Sequence, residues 1–368
     1  MLYLLWRCRP GRQAEEHSID DHSSCRADHP LVSVVIPVHD GGAVLARCLD
    51  TVMASSYPDV EVIVVDDRSS DDPQSVARSR GCRFMRLQQG HGAAAARNAG
   101  ARAARGQLLL FIDSDVMIPV DAVERTVQHL SASPRVCGLS AIYTAVAGAP
   151  GMVSRYLNFK THHFQVSLPP SPDTVYSAYL ALWRRCFEAV GGFDEAQAYV
   201  AADDLVLGLQ LAEAGCCLEF SVEIQVTHHK RLSVAGLVEF EYRHAREWAL
   251  ASRAYPRLLA QRLTYSRRSS VGALLAAWML ASGTVAAAGL AVTWNPAWLA
   301  CPLPPAVALA FWNAPFLGLV LREGGLVDAA TALPLFTVGS AAALAGAATG
   351  WLGARLQHAV APAVGVRS

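Results

Sequence analysis

What the sequence lacks narrows it first. Across 368 residues, 31 Lys and Arg balance 31 Asp and Glu, for a formal net charge of zero. No run of basic residues interleaved with aromatics breaks that balance, so the chain offers no groove for a polyanion, and nucleic acid is excluded as a partner. The nine cysteines, at positions 8, 25, 48, 82, 137, 186, 216, 217 and 301, are odd in number and form no CxxC pair. That spacing indicates neither a disulfide framework nor a thiolate zinc site, and the cysteines read as reduced thiols of a cytosolic domain. The sharpest scarcity is local. From Ser269 to Leu321 there is no Asp, Glu, Lys or Arg, which is the composition of a membrane segment.

The start of the chain is apolar over Met1 to Trp6, too short to span a bilayer and without the basic start or cleavage site of a secretory signal. Polar residues rich in His, Asp and Ser follow, and a flexible tail is expected over 1–30. Regular patterning begins at Leu31. Val32-Ser33-Val34-Val35-Ile36-Pro37 and Val60-Glu61-Val62-Ile63-Val64-Val65 are β-branched runs of the kind that fill buried parallel strands. Helices are expected over Ala43–Ala54, Asp72–Arg80 and Gly92–Ala104, with further strands over Cys82–Leu87 and Gln107–Ile112. The alternation predicts an α/β fold, a mostly parallel Rossmann-like sheet with right-handed crossovers.

In such a sheet ligands gather at the carboxyl ends of the strands. Asp40 lies just past the first strand, Asp66-Asp67 end the second and Asp113-Ser114-Asp115 end the fourth, so these acids are expected to converge. Two carboxylates one residue apart at a strand end can direct oxygens at Mg²⁺ or Mn²⁺, which in turn bridges a diphosphate. Taken alone, such a DxD tripeptide is more often a solvated turn.

The motifs Val34-Val35-Ile36-Pro37-Val38-His39-Asp40, Val64-Val65-Asp66-Asp67-Arg68-Ser69-Ser70-Asp71, Ala96-Arg97-Asn98-Ala99-Gly100 and Phe111-Ile112-Asp113-Ser114-Asp115 occur in this order. Together they resemble the family 2 glycosyltransferases, and the resemblance extends through Gly191-Gly192-Phe193-Asp194-Glu195 and Asp203-Asp204-Leu205-Val206-Leu207 to about His229. It implies a GT-A fold, a nucleotide-sugar donor, a divalent metal and inversion at the anomeric carbon. On that resemblance Pro37 and Asp40 border the nucleotide, Asp66 or Asp67 binds the base or ribose, and Asp113 and Asp115 hold ribose and metal. Arg97 and Asn98 either contact the donor phosphates or pair within the domain. Asp204 matches the general base, with Asp203 orienting the acceptor, and His228 or His229 completes the metal site. Two positions depart from the family pattern: Arg68 stands where Gly is common, and Asp203 where Glu is common. The bland reading of Asp203 and Asp204 is a cap on the helix expected over Leu205–Ala214.

A catalytic domain is therefore expected over 31–235, a juxtamembrane helical segment over 236–268, and a membrane region of about three helices over 269–368. The spans are placed at Val271–Thr293, Ala297–Val320 and Ala329–Gly353. Trp294, Trp298 and Trp351 sit at their ends, as interfacial anchors do. Arg257, Arg262, Arg267 and Arg268 precede the first span and by the positive-inside rule keep the catalytic domain in the cytoplasm, at a multi-pass inner-membrane location. The stretch Leu237 to Tyr265 lies on the membrane surface or is a plain packing helix. Lys160, His162 and His163 have no assigned role. The acceptor is then a hydroxyl of a lipid-linked or membrane-associated molecule, or a polyprenyl phosphate; a non-catalytic membrane scaffold that keeps the fold is the remaining alternative.

Overall fold

The computed structural model describes residues 29–169, 174–195, 202–256 and 267–360. The expected tail up to 28, together with Arg257 and Arg262, lies outside the described residues. The elements run β1 (Val32–Val38), α1 (Gly42–Met53), β2 (Val60–Asp66), α2 (Pro73–Arg78), β3 (Arg83–Arg86), α3 (Gly92–Ala103), β4 (Leu108–Ile112), β5 (Val116–Met117), α4 (Ala122–Ala132), β6 (Val136–Tyr143), α5 (Met152–Gln165), β7 (Tyr179–Trp183), α6 (Arg184–Ala189), α7 (Asp203–Glu213), β8 (Cys217–His228) and α8 (Val234–Ala254). Helices over Arg267–Thr293, Leu303–Trp312 and Ala314–Val360 follow. Two compact units result, one of Met1–Thr144 with Phe164–Lys230, the other of Ala145–His163 with Arg231–Ser368. The stretch Ala145–His163, expected inside the catalytic domain, belongs to the second unit.

The first unit is built on an eight-stranded sheet in the order β3-β2-β1-β4-β7-β6-β8-β5. Every residue of β1, β4, β6 and β7 is buried, because both faces are covered; that is why these strands read as unbroken apolar runs and not as alternating ones. Helix α1 turns Leu45, Cys48, Leu49 and Val52 inward at helical spacing. The short α2 is fixed at its start by Pro73 and by Asp72, whose carboxylate accepts the Ser75 N–H at 3.1 Å.

Three relationships in the sheet position the site. Strands β2 and β4 flank β1 in parallel, so Asp40, Asp66 and Asp113 come off the same edge. Beyond β4 the direction reverses, with β7 antiparallel to β4 and to β6. The two-residue β5 then pairs antiparallel with β8, setting Val116 opposite His228. That last register delivers a histidine from late in the chain to the end of the Asp-Ser-Asp turn.

In the second unit α8 begins at Ser233, whose hydroxyl accepts the Gly236 N–H at 3.1 Å. It packs against the Ala314–Val360 helix, with Leu237, Tyr156, Phe159, Phe316 and Val320 in one apolar cluster. Two ion pairs tie α5 into this unit. Arg155 grips Asp328 through two nitrogens, and Lys160 pairs with Glu241. Lys160 thereby gains a structural partner.

Among the described residues two helices, Val271–Thr293 and Ala314–Leu352, are long and apolar enough to cross a membrane. The expected middle span over Ala297–Val320 is not one helix: it divides into a 3₁₀ turn at Pro296–Ala300, the helix Leu303–Trp312 and the start of the next helix at Ala314. Pro315 explains the break, since its ring and missing N–H prevent the preceding helix from running through it. The expected third span then continues the helix begun at Ala314, past a kink at Gly325, where φ is +79°.

Candidate active site

The carboxylates at the strand ends first knit the loops together. Asp40 accepts from the Ser70 N–H at 2.6 Å and from the Ser70 hydroxyl at 2.9 Å, while its own N–H donates to Ser69 Oγ. Those hydrogen bonds from Ser70, backbone first, hold the Asp40 carboxyl below its usual range. Asp66, at the end of β2, is fully buried; Oδ1 accepts from Ser69 N–H at 2.8 Å and Oδ2 lies 3.3 Å from Arg86 Nε, at ion-pair distance without hydrogen-bond alignment. Asp67 accepts the N–H groups of His91 and Gly92 at 3.0 and 2.9 Å, fixing the start of α3. Of the pair, only Asp67 is part-exposed. Pro37 is buried inside β1, in register with Val65. Arg68 has φ of +63°, the left-handed region that costs a side chain roughly 1–2 kcal/mol. This accounts for glycine being common at that place in the family pattern.

Arg97 on α3 is the hub of the interior. It is buried and bridges two carboxylates, donating to Asp113 Oδ1 at 2.7 Å and Asp203 Oδ2 at 2.8 Å. Its guanidinium also lies 5.2 Å from the centroid of the Phe193 ring. Next to it, Asn98 donates to the Phe193 carbonyl and to Glu195 Oε1 and accepts the Phe193 N–H at 3.0 Å. Arg97 and Asn98 thus both make pairing contacts within the domain. Gly192 lies under the same loop with φ of +83°, and a Cβ there would meet Asn98 Oδ1 at 2.7 Å, so the Gly191–Glu195 turn can close on α3 only with glycine at this position. Phe111, Phe187 and Phe193 stack around it, with centroids 5.2 to 5.7 Å apart.

Asp203 and Asp204 open α7, whose cap position is Ala202, without a side-chain capping bond. Asp203 is pushed up by burial, against the pull of Arg97. Burial and the neighbouring Asp203 carboxylate push Asp204 up to about 7. A carboxylate poised there is matched to taking a proton at neutral pH.

On the other side, His228 Nε2 lies 3.2 Å from Asp115 Oδ2. The His228 ring packs on Tyr143 with centroids 4.7 Å apart. Burial works to raise the Asp115 carboxyl, but the adjacent His228 and Lys230 hold it below its usual value. His229 Nε2 lies 3.5 Å from an Arg47 nitrogen; burial and that arginine lower its pKa. Of the two histidines, His228 is the one whose ring meets the Asp115 carboxylate. One oxygen of Asp113 is held by Arg97. Two residues that sequence reasoning missed are Tyr143 and Tyr176: burial raises both phenols, and Asp204 adds to the rise in each, with Asp113 and Asp115 acting on Tyr143 as well. Their only trace in the sequence is that Tyr143 ends a buried strand.

Residues 33–190 match the family model for Glycosyl transferase family 2. The glycosyltransferase AglE of Haloferax volcanii is 27% identical over 210 residues, covering 55% of this chain and 68% of its own length. The glycosyltransferase GlyG of Streptococcus pneumoniae is 29% identical over 105 residues, 27% of this chain and 35% of its own length, so the chain spans about a third of that relative. Among solved structures, the mannosyltransferase PcManGT from Pyrobaculum calidifontis, in complex with GDP-Man and Mn²⁺, aligns with a TM-score of 0.56 at 20% identity, over 88% of this chain and 87% of that one. That likeness carries the fold. Residues 33–190 thus carry the match to the Glycosyl transferase family 2 model, and the mixed, mostly parallel eight-stranded sheet with the acids at its carboxyl edge is that of the GT-A fold.

Proposed function

We propose that the chain is a membrane-anchored inverting glycosyltransferase that moves a sugar from a nucleoside-diphosphate sugar to a hydroxyl of a lipid-linked or membrane-associated acceptor. The observation that carries this reading is Asp204, a half-buried carboxylate pushed up to about 7 beside the buried, ion-paired Asp203. A hydroxyl is a poor nucleophile, and Asp204 would take its proton as the new C–O bond forms opposite the departing diphosphate. A polyprenyl phosphate is already ionised and needs no such base, so the tuned carboxylate favours the hydroxyl. Asp203, held by Arg97, would orient the acceptor.

Asp115, just before β5, and His228, at the end of β8, bring a carboxylate oxygen and an imidazole nitrogen together, a donor set open to Mn²⁺ or Mg²⁺. Such an ion, when bound, offsets charge developing on the leaving diphosphate. Pro37, Asp40, Asp67 and Asp113 would border the nucleotide, with Asp66 fixing the loop from below. PcManGT, with its GDP-Man and Mn²⁺, supports the donor and metal class.

The anchoring rests on Val271–Thr293. A core helix of a soluble domain is mostly buried, whereas only 17% of this helix's most apolar stretch is, and Leu274, Trp278, Leu280, Val285 and Val292 are exposed. The arginines ahead of it would keep the catalytic domain on the cytoplasmic face of the inner membrane, where nucleotide sugars are found. The test is transfer by detergent-solubilised protein from a panel of labelled nucleotide sugars, with Mn²⁺, into a lipid extract. Label is expected in the lipid phase with wild type and not with Asp115→Ala; equal labelling by both proteins would remove the reading.

A further inference from the structure

Away from the acidic edge, three cysteines far apart in the sequence meet in the core of the first unit. One sulfur each from Cys137, Cys186 and Cys216 lies within 4.8 Å of the other two. All three residues are buried and unoxidised, with Cys137 and Cys216 still 9% and 8% exposed, which leaves a short path from solvent. Local irregularities accompany two of them. The ladder between β6 and β8 shifts register between Val136 and Gly138, and such a bulge re-aims the side chain it carries. Cys216 follows Gly215, whose φ of +79° reverses the chain ahead of β8. Cys186 is supplied by α6.

We propose that Cys137, Cys186 and Cys216 form a thiolate site for Zn²⁺, separate from the Asp115 and His228 pair. Zinc–sulfur bonds of about 2.3 Å in tetrahedral coordination set sulfurs roughly 3.8 Å apart, so shifts of about 1 Å or less bring these three onto one ion. Three sulfurs select a thiophilic d¹⁰ cation over the hard cations that suit carboxylates. Loading releases one proton from each thiol and leaves a formal charge of −1 on the bound ion and its three thiolates. Arg185 stands ready to balance that charge. Its guanidinium acts electrostatically on the adjoining Cys186, and its Nε is buried without a hydrogen-bond partner. The fourth position is left to solvent. Because Cys186 precedes Phe187 and the Gly191–Glu195 turn, the ion would brace the acceptor side of the site by tying β6, α6 and the start of β8 together.

The test is Co²⁺ titration of full-length, metal-stripped protein in detergent under reducing conditions, read by absorption. The proposal expects thiolate-to-cobalt charge-transfer and intense tetrahedral d–d bands that saturate at one Co²⁺ per chain and are displaced by one Zn²⁺. Cys186→Ser is expected to lose the bands, and Asp115→Ala to keep them. Zn²⁺ should also raise the melting temperature of wild type and not of Cys186→Ser. The absence of thiolate bands in wild type at equimolar Co²⁺ overturns the proposal, whatever the variants do. So do bands that survive in Cys186→Ser, or a disulfide joining two of the three cysteines in freshly purified protein.

Discussion

Asp115 and His228, 113 residues apart in the chain, stand 3.2 Å from one another because β5 and β8 set Val116 opposite His228. If this pair is the core of the metal site, His228→Ala should raise the Mn²⁺ concentration needed for half-maximal activity by about tenfold or more. Metal titration of the transfer rate measures this. An unchanged metal requirement would reduce His228 to a packing partner of Tyr143.

The Arg97 bridge gives a stability prediction. Removing it leaves Asp113 and Asp203 without their buried cation, and breaking a buried pair from one side costs about 3–5 kcal/mol. Arg97→Ala should therefore lower the melting temperature sharply. Arg97→Lys keeps the charge but not the fork that reaches two carboxylates at once, and an intermediate loss is expected. A melt identical to wild type for both variants would show that the bridge contributes nothing net.

Asp204 couples activity and stability in opposite directions. As a base it must be ionised, so the transfer rate should climb as pH rises through about 7. Its folded pKa is raised above the usual carboxyl value of 3.8, so its contribution to stability is fully present below about that pH and is lost as pH rises through about 7. The difference is at most on the order of 4 kcal/mol. Asp204→Asn should consequently melt higher than wild type at pH 8 and at the same temperature or lower near pH 4. Thermal melts at the two pH values check this, and an unaltered pH dependence of stability would contradict the shifted carboxyl.

These predictions draw unequally on what the sequence displays. The runs at Val32–Val38, Val60–Asp66 and Leu108–Ile112 were legible because strands covered on both faces have no polar alternation to obscure them, and the acids at their ends followed. The contacts of Arg97 and Asn98 were not, because their partners Asp203 and Phe193 lie 106 and 95 residues away, and no local pattern encodes such a pairing. Which of His228 and His229 meets Asp115 needed the β5–β8 register. The cysteine cluster escaped for the same reason: metal-site spacing rules recognise ligands close in sequence, whereas these three converge through a bulge, a helix and a glycine turn. The middle span was misjudged because apolar composition outweighed Pro315.

The aromatic nest under the acceptor turn offers another check. Phe193 packs on Phe111, Phe187 and Arg97 together, so Phe193→Ala should cost about 3–5 kcal/mol. It should also weaken acceptor use more than donor binding, because the loosened segment is Gly191–Glu195. Separate measurement of KM for the two substrates decides this; equal effects on both would show a general loosening of the domain.

The most direct measurement is the transfer rate of Asp204→Asn at pH 8, under saturating donor and Mn²⁺, alongside donor binding by the same preparation. The proposed chemistry predicts a rate lower by about 10² or more, with donor affinity and folding retained. A variant that binds donor and transfers sugar as fast as wild type would show that the proton leaves the acceptor by another route.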